Sequence, residues 1–140
     1  MKNLFLFLVL LTGMAGRLYA QHDLDVVNNL NCPLDVYYDV DDNSTCWTGA
    51  GPYTAGPMTT TTFTPGFVPG WIYKVRIDIG GGAFTDVFDC TSSCSVPGCP
   101  NVSGSISVPG GSTCVTMFPA TVTVTLTPAT PTTNAIVTVN

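Results

Sequence analysis

Positive charge is the scarcest property of this 140-residue chain, which holds four Lys and Arg against nine acidic residues. All nine are aspartates, and glutamate is absent. Two of the cations, Lys2 and Arg17, fall in a segment that reads as a leader, so residues 21–140 keep only Lys74 and Arg76. Two cations against nine aspartates give a net charge of −7 (2 − 9 = −7) in that part. Such a surface repels phosphate backbones and anionic lipid, which argues against a nucleic-acid partner. Histidine occurs once, as His22. It lies beside the expected new N-terminus, where chains fray and no rigid base is held. Serine or cysteine hydrolases that depend on histidine are therefore not expected. A pair of aspartates acting on glycosidic bonds needs a larger cleft than a domain of this size offers. Beyond the first dozen residues there is no long apolar run to span a bilayer. Nor does any stretch hold helical periodicity over three turns.

What the N-terminus does contain is Met1-Lys2-Asn3, an apolar run from Leu4 to Leu11, and small or polar residues to Gly16. A short positive start with an apolar core below the roughly 20 residues of a spanning helix reads as a cleavable secretory signal. The expected leader is 1–20, with cleavage after Ala20, and the expected domain is 21–140. The cysteines agree with export. Cys32, Cys46, Cys90, Cys94, Cys99 and Cys114 all follow the leader, and an even count in a small exported domain points to disulfides. Spacing alone does not select among the 15 pairings of six cysteines. At least one bridge is expected within the Ser, Pro and Gly-rich stretch 90–99. A metal knot of Cys90, Cys94, Cys99 and Cys114 is the rival, but no C-x-x-C pair supports it.

Period-two patterning runs through the rest. Leu34, Val36, Tyr38 and Val40 alternate with Asp35, Tyr37, Asp39 and Asp41. Trp71, Tyr73, Val75, Ile77 and Ile79 alternate with Ile72, Lys74, Arg76 and Asp78, which predicts a central strand. Gly80-Gly81-Gly82 should turn it into a partner over 84–90, because glycine enters positive φ freely. Further strands are expected at 24–28, 45–48, 58–64, 102–108, 113–118, 121–127 and 135–139. Eight to ten short strands with turns at this spacing predict an all-β fold, a disulfide-stabilised antiparallel sandwich of the immunoglobulin-like or jelly-roll kind. The run Asn28 to Tyr37, with its Asn31-Cys32-Pro33 step ahead of an aromatic-bearing strand, resembles the opening strand of thaumatin-like proteins. That resemblance implies a shared way of starting a β-sandwich and assigns no residue a role.

Three features bear on function. Asp39, Asp41 and Asn43 form the D-x-D-x-N start of a calcium loop, whose hard oxygen ligands suit that ion. Ser44 stands where the loop needs glycine and Ala50 where it needs glutamate, so the run also reads as a solvated strand end with an Asx turn. Calcium is the one cofactor the sequence suggests. Trp47, Tyr53 and Phe67 sit in or near the glycine and proline-rich segments 49–57 and 65–70, which are expected to be loops. Exposed rings there would stack on pyranose faces or anchor a protein partner. Finally, Thr121, Thr123, Thr125 and Thr127 would project in a file about 6.7 Å apart, a pattern that suits ice binding but is better read as a plain water-facing strand, since threonine is a good strand former. The expectation is a secreted, non-enzymatic structural or adhesive module of an extracellular, cell-surface or periplasmic assembly, without membrane insertion. Its expected partners are other extracellular proteins or further copies of itself. The alternative is a small glycan-binding domain using Trp47, Tyr53 and Phe67.

Overall fold

A computed structural model describes residues 23–42, 45–65, 70–90, 92, 94, 102–108, 114, 120–130 and 133–140. The expected leader with its Ala20 cleavage site, His22, Asn43, Phe67, Cys99 and most of the expected strand 113–118 lie outside these residues. Nine strands are described: β1 Leu24–Asn28, β2 Leu34–Asp41, β3 Cys46–Ala55, β4 Thr59–Phe63, β5 Trp71–Asp78, β6 Phe84–Phe88, β7 Ser103–Val108, β8 Ala120–Thr127 and β9 Ala135–Val139. They form two sheets in the orders β4-β1-β9-β8-β7 and β3-β2-β5-β6, packed as a β-sandwich. No helix among the described residues is long and apolar enough to cross a membrane.

Alternation does the sorting. From the five-stranded sheet, Leu24, Val26, Val122, Val124, Leu126, Val137 and Val139 point inward and are almost wholly buried. From the four-stranded sheet they meet Leu34, Val36, Tyr38, Ile72, Val75, Ile77 and Val87. Each such side chain contributes about 1.5–3 kcal/mol relative to exposure. β5 is interior, as its pattern predicted, and the three glycines that follow take φ of 86°, 66° and 80° in the β5–β6 hairpin.

Three expectations need correction. Not every pairing is antiparallel: β1 and β9 run parallel, with Leu24 opposite Ala135 and Asn28 opposite Val139. A parallel neighbour needs a long connection, and here nearly the whole domain supplies it. The stretch expected as a loop at 49–57 is largely strand, because β3 continues to Ala55. Two register shifts against β2 let it absorb Gly49, Gly51 and the cis Gly51-Pro52 bond. Bulges of this kind accommodate residues that a regular ladder would reject. The inward parity of β5 also changes. Asp39 pairs with Lys74 but Val40 with Ile72, so Tyr73 is an extra residue at a bulge. Ile72 rather than Trp71 is therefore buried, at 1% exposure, and Trp71 is only half-buried.

Two bridges tie the connections down. Cys32, in the β1–β2 turn, joins Cys114, between β7 and β8. Cys46, opening β3, joins Cys94, which follows β6. Cys90 is disulfide-bonded as well.

Candidate functional site

The two sheets present unlike outer faces. Asp35, Asp39, Asp41, Asp78 and Asp86, together with both Lys74 and Arg76, belong to the four-stranded sheet, whereas the strands of the five-stranded sheet carry a single charge, Asp25. Outward positions there are mainly hydroxyls: Ser103, Ser105 and Ser107 pair with Thr125, Thr123 and Thr121, and Thr138 pairs with Thr125. The threonine file of the sequence is thus one column of a wider hydroxyl face.

On the charged face, β2 and β5 lie side by side and bring Tyr37 opposite Arg76 and Asp39 opposite Lys74. Above them is an open depression of about 260 Å3 lined by Tyr37, Tyr38, Asp39, Thr48, Gly49, Lys74 and Arg76. Glycine makes room for it. At Gly51 a Cβ would lie 2.9 Å from the Tyr37 ring, so that ring leans over bare backbone. At Gly49, with φ of 94°, a Cβ would meet nothing within 4 Å. The Gly49 amide donates to Asp39 Oδ1 at 2.8 Å, which holds β3 against the carboxylate.

The cations are fixed from several sides. Lys74 Nζ stands 3.5 Å from Asp39 and 3.8 Å from Asp86, with the Phe88 ring 5.8 Å below. Arg76 donates from Nε and Nη2 to the two oxygens of Asp86 at 2.7 and 3.0 Å and lies 4.3 Å from the Phe84 ring centroid. Its hydrogen bond to Asp86 is the largest cause raising its pKa further above the ordinary arginine value. Burial raises the Tyr73 phenol, and Asp39 and Asp41 push in the same direction.

The expected site residues are dispersed. Asp39 is engaged by Gly49 and Lys74, while Asp41, 2% exposed, accepts from Ser92 Oγ at 2.7 Å. No three His, Cys, Asp or Glu among the described residues converge on a metal-sized point. Trp47 is 49% exposed, and its Nε1 donates to Asp42 Oδ2 at 3.0 Å. Tyr53 lies near the opposite end of β3, stacked on Tyr38 at 5.5 Å and beside Phe63 at 5.4 Å, where it spans the β3 and β4 edges of the two sheets. Among the described residues, Asp39 is the only one of the expected aromatics and metal ligands that lines the depression.

Tyr37, Thr48, Lys74 and Arg76 were not singled out from the sequence. The outward parity of Tyr37, Lys74 and Arg76 was visible, but not that β2 and β5 are neighbours with Thr48 of β3 beside them. Asn28 also escaped notice: fully buried, it donates to Cys32 O and Gly56 O at 2.8 Å each and accepts from Leu30 N at 2.9 Å. Comparison with protein-family models, curated proteins and solved structures finds no match for this chain. Its functional reading rests on geometry.

Proposed function

We propose that this protein is an exported, non-enzymatic structural module that joins further copies of itself edge to edge within a surface assembly. The observation that carries the reading is strand β4. It pairs with β1 in unbroken register over five residues and has no neighbour on its other side among the described residues. Natural sheet edges are blunted by charge, proline, bulges or cover, because their unpaired backbone groups accept foreign strands. The other edges have such guards: β3 has two register shifts and Pro52, β6 carries Asp86, and β7 presses Gly104 against Thr85 of β6. β4, Thr59-Thr60-Thr61-Thr62-Phe63, has no charge, proline or bulge.

A second copy is the occupant that suits it. Antiparallel pairing of β4 with itself in full register sets Thr60 against Thr62, Thr61 against Thr61 and Thr59 against Phe63, and such cross-strand pairs are mildly favourable. For residues 21–140, whose net charge is −7 (2 − 9 = −7), self-repulsion is weakest at the sheet with one aspartate. Export is supported by the bridges, which persist in oxidising compartments. Light scattering of the oxidised protein across a concentration series should show reversible growth, and Thr60→Lys should hold it monomeric with its melting temperature unchanged. A monomer at every concentration, or a variant that still associates, would refute the reading. A second reading, glycan binding, is favoured by the depression on the other sheet.

A further inference from the structure

We propose that the depression on the four-stranded sheet binds one neutral sugar ring, with Tyr37 as the stacking surface and Asp39, Lys74, Arg76 and Thr48 as its hydrogen-bonding rim. The proposal does not depend on β4, which lies on the other sheet.

Size is the first argument. At roughly 30 Å3 per water, a space of about 260 Å3 equals eight or nine waters. That admits a single pyranose ring, and it falls below the 300–1,000 Å3 typical of drug-sized ligands. Surface character is the second. The Tyr37 ring supplies carbon to the wall while polar groups converge at the margin. A pyranose is matched to this combination, since it has an apolar C–H face and an equatorial belt of hydroxyls.

Charge selects the neutral class. Lys74 and Arg76 are balanced by Asp39 and Asp86. An anionic ligand would gain attraction from the cations and lose it to the carboxylates, and a cation would fare likewise. Sugar hydroxyls donate and accept, so they use both kinds of group. Asp39 Oδ1 is occupied by the Gly49 amide, and Oδ2 faces Lys74 at 3.5 Å, looser than a tight ion pair. A hydroxyl could therefore bridge carboxylate and ammonium without breaking a strong bond. Preorganisation completes the case. The guanidinium is held by two hydrogen bonds and the Phe84 ring, so little side-chain freedom remains to be lost on binding.

The test uses the oxidised, isotope-labelled protein titrated with glucose, galactose, mannose and N-acetylglucosamine, alongside an array of neutral and acidic glycans. Saturable amide shifts at Asp39, Thr48 and Gly49 are expected with at least one neutral sugar, together with array binding to glycans that end in it. Thr48→Trp, a change at an exposed position that fills the depression, should weaken binding at least tenfold, as should Tyr37→Ala. Trp47→Ala should leave it unchanged. No binding to any neutral sugar or glycan would overturn the proposal, as would binding confined to acidic glycans. So would binding that survives Thr48→Trp in a variant with native melting behaviour, or that disappears with Trp47→Ala. Light scattering in the same samples keeps the outcome separate from edge-to-edge assembly.

Discussion

Arg76 and Asp86 stand directly opposite each other on β5 and β6 and meet in a two-pronged ion pair, Nε to Oδ1 at 2.7 Å and Nη2 to Oδ2 at 3.0 Å. Arg76 remains 39% exposed in its side chain, so water and salt weaken the pair. Asp86→Asn should lower stability by about 1 kcal/mol. The loss should shrink in 1 M NaCl. Urea denaturation of both proteins at low and high salt measures it, and a deficit independent of salt would count against an electrostatic origin.

Asn28 should be among the least replaceable polar residues. Its side chain satisfies two carbonyls and one amide at the β1–β2 turn, with no solvent access to take over. Asn28→Ala orphans all three and should cost about 3 kcal/mol, read as a lower urea midpoint at constant slope. Asn28→Asp should be worse, because a carboxylate oxygen would then face the Cys32 and Gly56 carbonyls. A midpoint unchanged in either variant would refute this account.

Alkali should unfold the protein through its buried phenols. Burial raises the Tyr38 pKa well above the ordinary value, and a hydrogen bond with Tyr53 adds to the rise. A folded-state value above the unfolded one means stability that is complete below the unfolded pKa of about 10 and is lost as pH climbs through it toward the folded value. Urea-derived stability should hold level from pH 7 to 9 and fall above pH 10. Tyr38→Phe should be less stable at neutrality yet lose less on the climb. A decline of equal steepness in both proteins would point to other groups.

Much of the local structure was legible in the residues. The boundaries of β1 and β9 match their alternating runs, and β5 is interior as its pattern required. β3 was not legible beyond its first residues, because glycine and proline read as turn signals. At an edge strand with two bulges they are tolerated, since fewer ladder hydrogen bonds need them. Trp71 was misplaced for a similar reason. One extra residue at Tyr73 moves the inward position at the start of β5 from Trp71 to Ile72, while Val75 and Ile77 stay inward as expected, and nothing local announces that a partner strand will skip it. The depression was illegible because its walls come from three strands separated by turns and loops.

By itself, the sequence determined the strand periodicity, the acidic balance and the supply of paired cysteines, since each depends only on which residues occur and at what spacing. Tertiary structure alone decided that the charges gather on one sheet and hydroxyls on the other. It also decided that β1 pairs parallel with β9 and that Tyr37, Asp39, Lys74 and Arg76 share a face. The physical reason is that strand neighbours are chosen by burial across the whole domain: alternation says which side chains turn inward, not which strand will lie beside them.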